Sequence, residues 1–183
     1  GLHILNHLGH GNIEYAMKFS NSDVLSLLTN AHPIFIYSQT CLAGHFDTAD
    51  CWAEYVTIKT AAGAFAAVMN ARYGWGTENS TDGPSNWFNR QFWDAVYGEG
   101  KLELGRANHD SKEDNIHRVN EPCGRWCYYE TNLFGDPTVK FRGISGLAFD
   151  HPQGLPVTVL PGRPTYVYVD VIPKDVVLRF RNG

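Results

Sequence analysis

No apolar run in the sequence reaches ten residues, well short of the roughly 20 that an α-helix needs to cross a bilayer. Residue 1 opens no charged-then-apolar leader pattern either, so the first residues are expected to belong to the fold itself. Charge is scarce: charged side chains make up 19% of the chain, and 15 basic against 19 acidic residues leave a formal net charge of −4. The basic residues are scattered, which argues against nucleic acid or an anionic membrane surface as a partner. What is present is apolar and aromatic. Hydrophobic residues reach 43% and aromatics 13%, too much for a disordered chain and enough for one core with a small appendage.

Two apolar runs end in chemistry. Ile34-Phe35-Ile36-Tyr37-Ser38-Gln39-Thr40 follows Pro33 and stops at the thiol of Cys41, before Leu42-Ala43-Gly44. The earlier run His3-Ile4-Leu5-Asn6-His7-Leu8 stops at Gly9-His10-Gly11. Between them Ser20-Asn21-Ser22-Asp23 supplies N-cap side chains to a helix with Val24, Leu25, Leu27 and Leu28 on its apolar face. Asp47-Thr48-Ala49-Asp50 reads as the cap of a second helix carrying Cys51, Trp52, Tyr55 and Val56, with Cys51 packing as a small hydrophobe. Gly63 to Met69 is a third strand. Strands alternating with crossover helices predict an α/β fold with a mostly parallel sheet.

Further along, Arg72-Tyr73-Gly74-Trp75-Gly76 and a polar loop to Gly83 precede Pro84, well suited to the first turn of a helix with Trp87, Phe88, Phe92, Trp93 and Val96. A more charged helix is expected from Leu102 to about Val119, and a closing strand from Thr138 to Phe141. From Gly143 onward, prolines and glycines punctuate alternating runs such as Val157-Thr158-Val159-Leu160. That pattern predicts domains at 1–142 and 143–183, the second being the start of a small all-β sandwich module.

In a parallel sheet, functional groups gather at the carboxyl ends of the strands, so strands ending in His10 and Cys41 are expected to bring imidazole and thiol together. A cysteine nucleophile needs a base or cation beside it, donors for the oxyanion, and an open approach. His10 answers the first need, and the amides of Gly11 and Cys41 answer the second. The bland alternative is a buried structural thiol and a loop histidine. A zinc site from His3, His7, His10, His45 and Cys41 is the other reading of these residue types, but His3 and His7 lie four apart on a strand and fit no closed tetrahedral pattern. Asp47 reads better as a helix cap than as a cleft residue. Asp82 and Glu78 are the acidic candidates of the polar loop, and Tyr73 and Trp75 the aromatic candidates for substrate contact. Cys123 and Cys127, four apart, suit either a short disulfide in an oxidising compartment or two thiols, and the spacing leaves both open.

Taken as an ordered set, Leu8-Gly9-His10-Gly11, Ser38-Gln39-Thr40-Cys41-Leu42-Ala43-Gly44-His45-Phe46-Asp47, Arg72 to Gly76, Gly83-Pro84-Ser85 and Asn132 to Pro137 resemble the gingipain-type cysteine peptidases of the caspase and legumain superfamily. The resemblance spans residues 3–142. It implies a three-layer α/β/α caspase-like sandwich and a cysteine endopeptidase. His10 would be the catalytic histidine, Cys41 the nucleophile, the Gly11 and Cys41 amides the oxyanion hole, and Trp75 a wall of the pocket for the P1 side chain. A basic P1 residue is favoured, with Asp82 or Glu78 as its acidic partner or with that partner upstream of residue 1. The local pattern departs from caspases, since Gln39-Thr40-Cys41-Leu42-Ala43 is not Gln-Ala-Cys-x-Gly. Aspartate specificity therefore does not carry over. An immunoglobulin-like module commonly follows in such proteins, as expected for 143–183.

The alternative from another class is a catalytically inactive binding or surface-display module on the same fold. No cofactor is implied, and a structural calcium ion is neither required nor excluded. The expected location is secreted or cell-surface, and the expected partners are a peptide or protein substrate and the upstream part of the same precursor. That last expectation comes from the sheet: a caspase-like sheet has about six strands, so the first of them should precede residue 1.

Overall fold

In the computed structural model, which describes residues 3–142, the apolar runs become a four-stranded sheet. The β module expected over 143–183 lies outside the described residues. Strand β1 (Ile4–His7) pairs in parallel with β4 (Ile34–Ser38), β4 in parallel with β5 (Ala64–Asn70), and β5 antiparallel with β6 (Thr131–Phe134). The order is β1-β4-β5-β6, and a two-residue hairpin, β2 (Tyr15–Ala16) and β3 (Phe19–Ser20), sits apart.

Side chains alternate along each strand, so both sheet faces are apolar and each needs a cover. Ile36, Ala67 and Met69 join Val24, Cys51, Trp52 and Val56 in a core on one face. Phe35 and Tyr37 point the other way, where Phe35 stacks on Phe92 at 5.6 Å and Tyr37 meets the same ring at 5.1 Å. The first cover is α1 (Asn21–Leu27) and α2 (Trp52–Glu54), which continues as a π turn over Tyr55–Lys59. The second is α3 (Pro84–Tyr97), with α4 (Leu104–Asp114) packed against it. These are the three layers of the α/β/α sandwich. No helix among the described residues is long and apolar enough to cross a membrane.

Local chemistry explains most boundaries. Ser20 caps α1: its Oγ accepts from the Asp23 N–H at 3.2 Å, while the Ser20 N–H donates to Asp23 Oδ2 at 2.8 Å. Of its four leucine and valine positions only Val24 is fully buried, with Leu28 packed against the core; Leu25 and Leu27 face solvent. A helix of seven residues has one inward stripe, and positions four apart occupy it. The second helix starts later than expected. Cys51, not the 47–50 stretch, is its N-cap, and the Cys51 N–H donates to Glu54 Oε2 at 2.8 Å. Cys51 itself is wholly buried, as expected.

Two differences lie in the C-terminal part. The charged helix ends at Asp114, because the Asn115 side chain donates to the Ser111 carbonyl at 2.8 Å and a 3-10 turn, Ile116–Arg118, follows. A fifth helix, α5 (Gly124–Glu130), then leads straight into β6. The closing strand is therefore Thr131–Phe134 and not 138–141. The later stretch instead bridges to the α3–α4 connection, through Glu103 opposite Lys140 and the Phe141 N–H on the Leu102 carbonyl at 3.0 Å. All four cysteines are free thiols.

Candidate active site

The register of the parallel pair places the two functional groups. His7 lies opposite Ser38 in the last matched pair, and the Gln39 N–H donates to the His7 carbonyl at 3.0 Å as the ladder ends. Three residues beyond that pair on each chain come His10 and Cys41. Both line one pocket of about 200 Å³ at the carboxyl ends of β1 and β4. His10 is exposed and Cys41 half-buried, so thiol and imidazole are open to a ligand.

The walls come from three further segments. Gly9 and Leu8 stand beside His10; Gln39 lies beneath Cys41; Gly74, Trp75 and Gly76 form the opposite side, and Ser85 and Asn86 of the first turn of α3 complete it. These walls are tied together. Asn86 donates to Gln39 Oε1 at 2.8 Å, Asn70 donates to the Gln39 carbonyl at 3.2 Å, and the Trp75 N–H donates to Ser85 Oγ at 2.9 Å. The Cys41 thiol reaches the Gly74 carbonyl at 3.9 Å. Leu42, the next residue, has φ 59°, a left-handed conformation that costs a branched side chain energy. It is held there by its N–H on the Arg72 carbonyl at 2.8 Å. The chain thus turns sharply just after Cys41.

Gly74 has a packing reason to be glycine. A Cβ there would sit 2.5 Å from the Gln39 carbonyl oxygen and 2.7 Å from Asn70 Nδ2. Gly74→Ala is expected to push the Trp75 wall outward and to destabilise the chain by about 1–3 kcal/mol, as overpacking does. A urea midpoint unchanged from the parent would show that the segment gives way freely.

Of the residues expected to act on or hold a substrate, His10, Cys41 and Trp75 line this pocket, and Gly11, Tyr73, Asp82 and Glu78 do not. Gly11 packs against Thr40, where a Cβ would be 2.4 Å from Thr40 Oγ1, so it lets the histidine loop approach the cysteine strand. Tyr73 points its ring to solvent, and its carbonyl accepts from Trp126 Nε1 at 3.0 Å. Asp82 is occupied elsewhere. It accepts from Arg90 at 2.5 Å and Trp87 Nε1 at 3.0 Å, and the Arg90 guanidinium holds its carboxyl below the ordinary range. Asp47 does not cap α2; it accepts from Arg72 at 2.9 and 2.6 Å and faces His45 at 3.0 Å. Gln39, Ser85 and Asn86 were missed by sequence reasoning, although Gln39 stands two residues before the thiol and Ser85 follows the expected N1 proline.

The histidines and Cys41 do not form a metal-type cluster among the described residues. The group close enough to share an ion is Asp94, Glu99 and Asp114, on the surface. Lys101 is already paired with Glu99 there.

A family model described as Peptidase family C25 matches residues 1–142. No curated protein matches the chain. Among solved structures, that of the Arg specific cysteine proteinase gingipain R is 18% identical, with a TM-score of 0.66 over 78% of this chain and 34% of that one. The complex of Porphyromonas gingivalis RgpB pro- and mature domains gives 18% identity and a TM-score of 0.63, again over 78% and 34%. A third structure, described as a protease, is 14% identical, with a TM-score of 0.64 over 93% and 41%. The chain therefore spans about a third of the length of the first two structures, and likeness at this identity concerns the fold.

Proposed function

Because the chain belongs to peptidase family C25, we propose that it carries the nucleophile and the general acid of a cysteine endopeptidase. The observation that supports this is the shared pocket of His10 and Cys41 at the ends of neighbouring parallel strands. In the proposed reaction the Cys41 thiolate attacks the carbonyl carbon of the scissile peptide bond. The oxyanion accepts hydrogen bonds from backbone amides, the candidates being that of Cys41 in the pocket and that of Gly11, next to His10 but outside the pocket lining. The imidazolium of His10 then gives its proton to the leaving amine as the C–N bond breaks, which leaves a thioester on Cys41. Water, losing a proton to His10, attacks that thioester, which releases the carboxylic acid and restores the Cys41 thiolate beside a protonated His10. The chemistry draws only on thiol, imidazole and backbone amides.

For substrate choice we favour a basic P1 side chain, with Trp75 stacking along its aliphatic stem. No carboxylate lines the pocket among the described residues, and Asp82 is held by Arg90. The counter-charge in this reading comes from outside residues 3–142. The same reading extends to the partner and the location. β1 stands at the sheet edge with one side unpaired among the described residues, whereas parallel strands are normally buried in a sheet. Upstream strands of the same precursor are proposed to cover it, in a secreted or cell-surface protein.

The test is a peptide library together with a thiol-reactive peptidyl probe applied to the intact protein. Cleavage after arginine or lysine and labelling of Cys41 ahead of Cys51 are expected. A preference for acidic or large apolar P1 residues would remove the basic-pocket reading, and equal labelling of the two thiols would remove the peptidase reading.

A further inference from the structure

Behind the segment that walls the Cys41 pocket lies a second, larger cavity of about 600 Å³, which shares no lining residue with it. It opens between the loop after the nucleophile, the end of β5 and helix α5. Nearly every charge on its wall already has a partner. Asp47 takes two of the three hydrogen bonds of Arg72, Glu121 faces Arg118 at 3.3 Å, and Arg125 donates to the neutral Asn120 Oδ1 at 3.1 Å. Glu130 is the exception. It is 3% exposed, and neither carboxyl oxygen has a hydrogen-bond partner. Burial pushes its carboxyl up to about 8, and the nearby Arg72 charge offsets that only in part. A buried polar group left in this way carries a standing cost.

The surroundings state what would relieve that cost. Phe46, Trp126 and Tyr129 line the same cavity and keep much of their ring surface exposed. A buried carboxyl in the wall of a largely apolar, aromatic cavity is an environment in which a cation on an apolar stem is held, by charge-assisted hydrogen bonds at its head and by ring faces along its length. A metal ion fits less well. Asp47 and Glu121 are engaged, and the cavity's carboxylates do not form a group close enough to share an ion among the described residues.

We propose that this cavity binds an organic cation, a primary ammonium or guanidinium on an apolar stem, with its head at Glu130 and its stem along Trp126 and Tyr129. The site backs directly onto the nucleophile. The Arg72 carbonyl holds the Leu42 N–H, the Tyr73 carbonyl holds Trp126, and the Gly74 carbonyl faces the Cys41 thiol. An occupant would therefore brace the strip of chain on whose other side Cys41 sits.

Cys123 provides a local reporter, since it lines this cavity and is half-buried, whereas Cys41 lines the other pocket. Iodoacetamide labelling of the intact protein, read peptide by peptide by mass spectrometry, would be followed with three additives. These are n-butylguanidine as a free cation, Nα-acetyl-arginine methylamide as a peptide-borne one, and Nα-acetyl-citrulline methylamide as the neutral control. Saturable protection of Cys123 is expected from a guanidinium and not from the urea, reaching about tenfold at ten times the dissociation constant. Protection by butylguanidine alone would mark a free organic cation as the ligand class, and protection by the blocked arginine a polypeptide side chain. Glu130→Gln should abolish the protection; if that variant fails to fold, Trp126→Ala serves the same purpose. Protection of Cys41 without Cys123, equal protection by citrulline, or protection that survives in the variants would overturn the proposal. The readout needs no turnover, so its failure is separable from failure of the peptidase reading.

Discussion

Cys41→Ala is expected to lower peptide hydrolysis by more than about a thousandfold, to the background of the assay, because the bond-forming atom is gone and no neighbouring group replaces it. The fold should not notice. Cys41 is only half-buried, its one polar contact is the long 3.9 Å approach to Gly74, and substitutions of this kind change stability by about 0.5 kcal/mol or less. Cys51→Ala is the matched control with the opposite signature. That thiol is fully buried among Trp52, Val56 and Met69, and burial pushes it up to about 11, far from a nucleophile's range. Its loss should cost about 1 kcal/mol of stability and leave turnover intact. Progress curves on a peptide substrate, paired with urea midpoints, read both effects. Equal activity of parent and Cys41→Ala would exclude this thiol as the nucleophile.

His10→Ala is expected to lower turnover by about a hundredfold or more, the usual effect of removing a positioned acid or base. The loss should fall on kcat with little change in KM, since the imidazole is proposed to act on the leaving amine and not on ground-state binding. His10 is exposed, at the edge of the pocket, so the melting temperature should stay where it was. A rise in KM with kcat unchanged would make His10 a binding residue, and the general-acid assignment would be wrong.

The parts of this molecule that a reader of the sequence sees are those where one local rule dominates. β4 and β5 are short continuous apolar runs between turn residues, as strands covered on both faces must be. Pro84 marks the start of α3 at its first turn, and Ser20 with Asp23 marks the start of α1. The gingipain family was legible for a related reason: the histidine and cysteine stretches, the Arg72 to Gly76 stretch and the Asn132 to Pro137 stretch occur in order, and the matching family model covers 1–142. α5 and β6 were not legible. Thr131 and Asn132 read as turn residues, and only pairing with Met69 and Asn70 makes them a strand. Cys123 takes a left-handed conformation, φ 61°, just before α5, where nothing in its chemistry announces a helix start. Apart from Trp75, the pocket walls were hidden for the same reason. Gln39 matters because Asn86, from a distant helix, fixes its amide, and contacts between remote segments leave no periodic trace.

The matched pairing of His7 with Ser38 amounts to a ruler for the chemistry. His10 and Cys41 each stand three steps past that pair, so parallel strands about 4.8 Å apart deliver both residues to the same end of the sheet. Sliding β1 by one residue would shift the imidazole about 3.3 Å relative to the thiol and turn its apolar side chains to the wrong face. A misplacement of even 1 Å can cost about a hundredfold in rate. Alignment and burial are thus enforced by the same interlock, and the 11–33 connection adds the cover of one sheet face through Val24 of α1. Lengthening the spans between the matched pair and the two functional residues would break the gauge itself.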